Sequence, residues 1–517
     1  MLEMSEHRTR AGWKKRLSVA VIFFLVAGLH VACSEGDRSE ASHSGPAEPT
    51  AASSTSVTQD PRPSILFVVL DTVRADAISA YGAVEGTTPT VDALAAEGTR
   101  FAHAYSASSW TVSSHASMFS GLRVDQHGVG LDGVYVSPES LTMLAERLNE
   151  EGYETAAFAE NSLVSPDFGF GQGFDHFSVT NMADVVKAEA TGDESMAFFG
   201  LAARIAQWSR QRDTTKPAFV FVNIMDAHDP YSVRDVNRWV PADASARELS
   251  AAVARYPVPT ALCGKAPKGR DRELMRGLYL GDVSAADEKL GRVLQALGAA
   301  GLGRNRITIV TADHGEHLGE HALSGHRYSV RTPSVQVPLV VTGVPELVPG
   351  VSKLPVSTRR LKDAVLCWAS AGECPSPLAG KSGAVQAEPI ISIWSDRAAD
   401  VPGPVREALG ISPEYEHRDP ARDACAPEAP VFGELVSMIQ YPYKMNWAGT
   451  QIIGLHDLSW DPGERSDQRR ISPELAARFG ETLERFVSDE VMNRAATAPT
   501  TLDADTARAL KALGYID

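Results

Sequence analysis

Acid and imidazole side chains collect behind three apolar runs of this chain. Ile65–Leu70 (ILFVVL) ends in Asp71, Ala218–Ile224 (AFVFVNI) runs into Asp226 and His228, and Ile307–Thr311 (ITIVT) leads to Asp313-His314-Gly315. Two carboxylates and an imidazole, Asp71, Asp313 and His314, suit a divalent cation of borderline hardness. Singly, Asp71 reads equally well as a turn cap and Asp313-His314-Gly315 as a plain loop. Three such groups behind successive apolar runs, beside a hydroxyl-rich segment, point to a metal. That segment is Ser106–Gly121 (SASSWTVSSHASMFSG), helical in pattern from about Ser113. It reads as a serine-rich helix cap or as something more. A hydroxyl at a helix N-terminus sits in positive potential near free N–H groups, and a cation beside it lowers its pKa towards that of a nucleophile.

The apolar runs set the scaffold. Ile65–Leu70, Thr155–Ala159, Ala218–Ile224, Ile307–Thr311 and Val337–Val341 read as strands. Helical patterns lie between them: Ser140–Glu151 with Leu141, Leu144 and Leu148 on one face and Gly152 as a stop, and Asp282–Leu297 with Val283, Ala286, Leu290, Val293, Leu294 and Leu297 in phase. Continuous apolar strands alternating with helices imply an α/β fold, a mostly parallel central sheet flanked by helices. Such sheets bind ligands at the carboxyl ends of their strands, where these acids and histidines stand. The catalytic domain is expected over residues 63–350. Residues 351–430, rich in Pro, Gly and Ala, read as an insertion or irregular segment completing the core. A smaller C-terminal α+β subdomain over 431–517 has strands near Val431–Ile439 and Gln451–Leu458 and a helix through Leu475, Phe479, Leu483 and Phe486.

The start of the chain carries Arg8, Arg10, Lys14, Lys15 and Arg16, then an apolar run Leu17–Leu29, then His30-Val31-Ala32-Cys33. The run is short for a membrane span and reads as a signal-peptide core. Small residues before a cysteine resemble the bacterial lipoprotein cleavage box, with His30 where leucine is usual. Residues 1–33 are therefore expected to be a lipoprotein signal peptide that anchors the protein to a membrane through lipidated Cys33, and 34–62 a disordered tether. An ordinary cleaved signal peptide and an uncleaved anchor are the alternatives. The expected location is the bacterial cell envelope, at the outer membrane or facing the periplasm. Cys263, Cys367, Cys374 and Cys425 are compatible with two disulfides. Cys367 and Cys374 are close enough to clip one loop, which would leave Cys263 with Cys425; four unpaired core cysteines are the other reading. The net charge of −16 argues against a nucleic-acid partner. It leaves room for a small anionic substrate, since a bound metal reverses the local field.

Several blocks in order resemble the sulfatases, whose fold is that of the alkaline phosphatases. ILFVVLDTVRADAISAYG, TPTVDALAAEGTRFAHAYS and WTVSSHASMFSGLRVDQHGV resemble their N-terminal third. MDAHDPY, TADHGEHLGEH and GHRYSVRTPSVQVPLVV resemble later active-site blocks, and LHDLSWDPGE a motif of the C-terminal subdomain. The likeness spans roughly 64–345 and 431–470. It implies Asp71, Thr111, Asp313 and His314 as ligands of one divalent ion (Ca, Mn, Zn or Mg), with Thr72 where many sulfatases have a further Asp. Thr111-Val112-Ser113-Ser114-His115 aligns with the Cys/Ser-x-Pro-Ser-Arg signature. Thr111 takes the nucleophile's place, with no cysteine or serine to become formylglycine, and His115 takes that of the arginine. His228 matches a histidine that contacts the substrate's oxygens, and His326 an anion-binding lysine. Asp226, His228 and His326 are the further residues available to a two-metal site, although their spacing does not match the two-zinc phosphodiesterases. His103, His127, His317 and His321 read as framework or as support around the site.

A threonine nucleophile resembles the phosphoryl- and phosphoglycerol-transferring branch of the same superfamily. The leading expectation is a metal-dependent hydrolase of phosphate or sulfate esters, phosphoester favoured, in which Thr111, His228, His326 and His115 act on a small anionic ester. The alternatives are a true sulfuric ester hydrolase, an envelope phosphoethanolamine or phosphoglycerol transferase, and a catalytically silent binding protein.

Overall fold

The sequence SILFVVL forms β1 (Ser64–Leu70) in the middle of a nine-stranded sheet, with six of its seven residues buried. Burial on both faces explains why the run is continuously apolar rather than alternating. In this computed structural model residues 60–131, 139–180, 200–232, 238–255, 266–326, 329–370, 377–378, 388–394, 435–448 and 451–492 are described. All belong to one compact unit, Val57–Asp517. The expected signal peptide with Cys33, and nearly all of the tether, lie outside the described residues.

The strands are β2 (Thr99–Tyr105), β3 (Glu154–Ala159), β4 (His176–Val179), β5 (Ala218–Ile224), β6 (Arg306–Thr311), the short pair β7 (His317–Leu318) and β8 (Ser324–Gly325), then β9 (Gln336–Val337), β10 (Leu339–Thr342) and β11 (Gly350–Ser357). The main sheet has the order β11-β2-β10-β6-β1-β5-β3-β4, with β9 also on β2. β1 pairs in parallel with β5 and β6, and β3 with β4 and β5, while β10 runs antiparallel to both β2 and β6. The expected mostly parallel sheet is thus present. Val69 of β1 lies level with Asn223 of β5 and Thr311 of β6. The chain therefore leaves three neighbouring strands at the same height, just before Asp71, Met225 and Ala312. The expected strand Val337–Val341 is divided: Pro338 separates β9 from β10, because proline has no N–H to give a ladder.

The 29-residue helix Gly269–Leu297 buries Leu274, Met275, Leu278, Val283, Ala286, Leu290, Val293 and Leu297. It starts well before the pattern at Asp282 suggested, since the charged run Arg270–Arg276 masks its apolar face. Where residues 351–430 read as irregular, β11 joins the main sheet beside β2, and the helix Leu361–Ala369 and β12 (Ile390–Trp394) follow. Cys367 on that helix is disulfide-bonded; Cys263, Cys374 and Cys425 lie outside the described residues. Among the described residues no helix is long and apolar enough to cross a membrane.

β12 opens the second sheet, continued by β13 (Leu435–Gln440), β14 (Tyr443–Ala448) and β15 (Gln451–Asp457), all antiparallel. Phe479 and Leu483 of the helix Pro473–Phe486 pack in the cluster formed by Met438, Met445 and Leu455. Glu464, in the DPGE block, fastens this sheet to the main body. Its carboxylate lies 2.7 Å from Lys444 Nζ of β14 and accepts from the N–H and hydroxyl of Thr332, each at 2.6 Å. Lys444 and Glu464 are both fully buried.

Removing one partner of such a pair strands a buried charge, at about 3–5 kcal/mol. Lys444→Met is therefore expected to destabilise by that amount in chemical denaturation, and an unchanged midpoint would show the latch to be dispensable. Burial alone would raise the Glu464 carboxyl, but Lys444, Arg331 and His456 hold it well below the usual carboxylate range. A depressed folded pKa gives stability that is present above the unfolded value and lost as pH falls below it. The wild-type advantage over Lys444→Met should accordingly shrink in acid.

Candidate active site

Asp71, Asp313 and His314 converge where β1 and β6 end, with candidate ligand atoms all within 4.8 Å of one another and all three residues fully buried. Each is oriented by its neighbours. Asp71 Oδ2 accepts from the side-chain amides of Asn161 at 2.9 Å and Asn223 at 3.0 Å. Asp313 Oδ1 accepts from the backbone N–H of Thr72 at 3.1 Å and of His314 at 2.9 Å. Thr72 has φ 57°, a left-handed conformation that costs a β-branched residue about 1–3 kcal/mol. The twist aims its N–H at Asp313, and the hydroxyl of Tyr279 holds its carbonyl at 2.9 Å. Thr72 Oγ1 donates to the Asp71 carbonyl at 2.7 Å, so this residue braces the site through its backbone.

What remains free on these groups suits a cation. Asp71 Oδ1 and Asp313 Oδ2 are buried without a hydrogen-bond partner. His314 Nδ1 lies 3.0 Å from the Gly315 carbonyl, which can only accept, so Nδ1 carries the proton and the Nε2 lone pair is left. That Nε2 stands 3.3 Å from Asp313 Oδ2 and 3.2 Å from Thr111 Oγ1. The turn holding the imidazole admits only glycine at 315, where a Cβ would come 2.2 Å from the Pro333 carbonyl oxygen. Burial, followed by the neighbouring Asp313, raises the Asp71 carboxyl, and burial lifts Asp313 to about 6 and lowers His314 to about 4. Two buried acids facing each other are unfavourable alone and favourable around a divalent ion. The residues fit one.

Thr111 is the first residue of helix α2 (Thr111–Ser120), which follows helix α1 (Pro89–Glu97), and the N-cap position makes no side-chain capping bond to that helix start. The buried Thr111 hydroxyl therefore shares the helix's positive end with the acid cage. Ser114 Oγ donates to the Asp313 carbonyl at 2.6 Å and ties α2 to the turn after β6. His115 lies one turn along α2. Its Nδ1 donates to the Thr111 carbonyl at 2.8 Å, and its ring packs edge-on against Phe119, Phe170 and Phe221. Burial lowers its pKa to about 4, so it is neutral at pH 7. Its Nδ1 also lies 3.8 Å from Asp313 Oδ2, so the ring borders the cage.

His228 and His326 stand beside the cage, their rings 5.2 Å apart between centroids, and His326 stacks on His314 at 4.4 Å. Asp226 does not join them, since its Oδ2 lies 2.6 Å from Lys289 Nζ. The histidines read as framework bond to framework: His127 to Ser117, His317 to Ser329 and His321 to the Gly463 carbonyl. Sequence reasoning missed Asn161 and Asn223. Asn223 had a signal, an amide inside an apolar strand that would be costly to bury without a partner. Asn223→Ala is expected to loosen Asp71 and reduce metal affinity or kcat/KM by about 10–100-fold; unchanged values would show that Asn161 alone orients the carboxylate.

A model of the sulfatase family matches residues 63–371, more than half of the chain. The chain belongs to the sulfatase family. It is 25% identical over 312 residues to an ulvan-active sulfatase of Formosa agariphila, covering 56% of this chain and 57% of that one. It is 23% identical over 400 residues to a Δ4,5-hexuronate-2-O-sulfatase of Bacteroides thetaiotaomicron, covering 69% and 80%. The chain spans less than two thirds of the length of several curated relatives it matches. Among solved structures, the phosphonate monoester hydrolase of Agrobacterium radiobacter superposes with a TM-score of 0.61 at 21% identity, over 83% of this chain and 95% of that one. At that identity the likeness establishes the sulfatase and alkaline phosphatase fold.

Proposed function

We propose that this sulfatase-family protein is a metal-dependent hydrolase of phosphate or sulfate esters, with phosphate esters favoured and Thr111 as nucleophile. The observation that carries the reading is the Thr111 hydroxyl, 3.2 Å from His314 Nε2, at the uncapped start of α2 and beside the Asp71–Asp313–His314 cage. A divalent ion held by Asp71, Asp313, His314 and Thr111 Oγ1 would polarise the ester and lower the pKa of the threonine hydroxyl. The uncapped N–H groups of α2 add positive potential at the same atom. His115 fixes the first turn of α2 and so the direction of Thr111. His228 and His326 form the face that meets the ester's remaining oxygens. Sulfate esters are the second reading, favoured by relatives that are named as sulfatases.

The test is a panel of aryl sulfate, phosphate monoester, phosphodiester and phosphonate ester substrates, each with Mn, Zn, Mg and Ca. Turnover strongest on a phosphorus ester is expected; no metal-dependent turnover of any of them would leave a binding protein. We further propose that Cys33 carries lipid and holds the protein at the bacterial envelope, from the basic, apolar, small-residue and cysteine order of residues 8–33. Mass spectrometry of the mature N-terminus should find an acylated Cys33, and an unmodified Cys33 thiol with a start elsewhere would contradict it.

A further inference from the structure

The loop of the DPGE block, the β7–β8 hairpin and the first turn of the helix Gly269–Leu297 enclose a cavity of about 640 Å³. We propose that this cavity binds a tetrahedral oxyanion, a phosphate or sulfate group, at a place separate from the Asp71–Asp313–His314 cage. The proposal rests on the cavity's own residues and not on the function assigned to the cage. The hydroxyl of Tyr279 meets Thr72 beside the cage, and Arg272 of the cavity stands two turns earlier on the same helix, about 10 Å along its axis.

Charge decides the sign of what the cavity takes. Three arginines line it, Arg272, Arg331 and Arg465, together with three acids, Glu320, Glu464 and Asp467. Each acid is already met by a cation outside the lining. Glu320 Oε1 lies 3.0 Å from Arg74 Nη1, Glu464 Oε1 2.7 Å from Lys444 Nζ, and Asp467 Oδ2 2.7 Å from Arg469 Nη2. Asp76, the other partner of Arg74, has Arg276 at 4.0 Å. Arg272 and Arg331 approach Glu320 and Glu464 only as second cations, at 3.1 and 3.5 Å. Among the described residues the Arg465 guanidinium makes no ion pair or hydrogen bond; its backbone N–H donates to Asp461. Even with Asp461 counted, the lining keeps an excess of positive charge.

The donors suit an oxyanion. The guanidinium fork matches the oxygens of phosphate and sulfate two at a time. The side chains of Arg272 and Arg331 keep 42% and 22% of their surface, and ion pairs so exposed are weak enough for the arginine to turn to a new anion. His456 also lines the cavity and is itself only 4% exposed. Its Nδ1 donates to the Ser466 carbonyl at 3.1 Å, and its Nε2 is buried without a hydrogen-bond partner, 4.0 Å from Glu464 Oε2. An oxyanion alongside favours the protonated ring, whose Nε2 then donates. His321 donates to the Gly463 carbonyl at 3.0 Å and so holds the loop that carries Arg465 against the hairpin. The cavity shares Arg272, Glu320, Gly463 and Arg465 with a neighbouring one of about 590 Å³, which Gly269 lines at the start of the long helix. No side chain of the N-cap position bonds that helix start, so its positive end adds to the arginines. The volume is that of a site for a small organic molecule, so the oxyanion is either a free ion or one group of a larger ester.

The experiment is isothermal titration of the full chain in EDTA at constant ionic strength, with sodium phosphate, sodium sulfate, glucose 6-phosphate and glucose 6-sulfate. It is run on the wild type and on Asp313→Ala, so that anion binding at the cage is told apart. Saturable binding of one equivalent is expected in both, weakened at least about tenfold by Arg465→Gln and by Arg272→Gln, the loss of one charge-assisted contact. Arg465 has no side-chain partner to lose, and Glu320 keeps Arg74 when Arg272 is replaced, so both variants should fold and take up cage metal as the wild type does. Tighter binding of the glucose esters assigns the cavity to an organic ester, and equal affinity for the inorganic ions assigns it to the free anion. No saturable binding of any of the four, or binding that neither arginine substitution weakens, overturns the proposal and leaves the reading of the cage untouched.

Discussion

Asp313→Ala is expected to lose the cation of the first cage and to lower kcat/KM by about 10³-fold or more, with Asp71→Ala and His314→Ala behaving alike. Such a loss corresponds to about 4 kcal/mol of transition-state stabilisation, the scale expected of a metal acting as Lewis acid and as activator of a hydroxyl. The fold should survive. The three side chains stand beyond the ends of β1 and β6 and line no part of the hydrophobic core. Burial and the facing carboxylate raise Asp71, and burial raises Asp313. An acid with a raised folded pKa costs stability once the pH exceeds its unfolded value. Removing either carboxylate should thus leave the metal-free Tm at pH 7 unchanged or higher. Wild type should gain Tm on adding metal, as a ligand that binds only the folded state requires, and the variants should lose most of that gain. Variants with unchanged metal stoichiometry by elemental analysis would refute the assignment of the cage.

The second large effect concerns which ester is cut. The formylglycine of the sulfatases is a hydrated aldehyde, whose second hydroxyl expels sulfate by breaking a C–O bond, so that water need not attack sulfur. Thr111 has one hydroxyl and cannot do this. A sulfated Thr111 would wait for attack at sulfur, whereas a phosphorylated Thr111 is open to in-line displacement by water at phosphorus. For matched aryl esters, kcat/KM is therefore expected to be at least about tenfold higher on phosphate than on sulfate, a difference of about 1.4 kcal/mol in barrier. Thr111→Ala should lose activity on both by a factor of about 10²–10³, since the nucleophile is gone while the cage remains. A preference for sulfate would mean that this site solves the release of sulfate in another way.

Much of this was legible in the sequence, for a physical reason. Strands buried on both faces must be continuously apolar, so β1, β3, β5 and β6 announce themselves, and the residues after β1 and β6 were the ligand candidates. Elements with mixed surroundings were harder. β2 (TRFAHAY) mixes buried and half-buried positions without strict alternation and carries Arg100 and His103, and β11 contains Pro355. The helix Gly269–Leu297 begins in a charged run that hides its apolar face. At the site, residue types named the ligands, but not what orients them. The backbone N–H of Thr72 meets Asp313, the amide of Asn161 meets Asp71 and the hydroxyl of Tyr279 meets Thr72, each across a long stretch of chain. The same holds for His115 and Asp226. Sequence placed both among the candidates at the site, and only packing shows one ringed by Phe119, Phe170 and Phe221 and the other held by Lys289.

The central claim is that the Thr111 hydroxyl takes the phosphoryl group. Rapid quenching of the metal-loaded protein during turnover of an aryl phosphate, followed by peptide mass spectrometry, tests it most directly. One phosphoryl group is expected on Thr111, formed within the first turnover and absent from Asp313→Ala. Steady turnover with Thr111 unmodified at every time point, and a Thr111→Ala variant that keeps the wild-type rate, would contradict it.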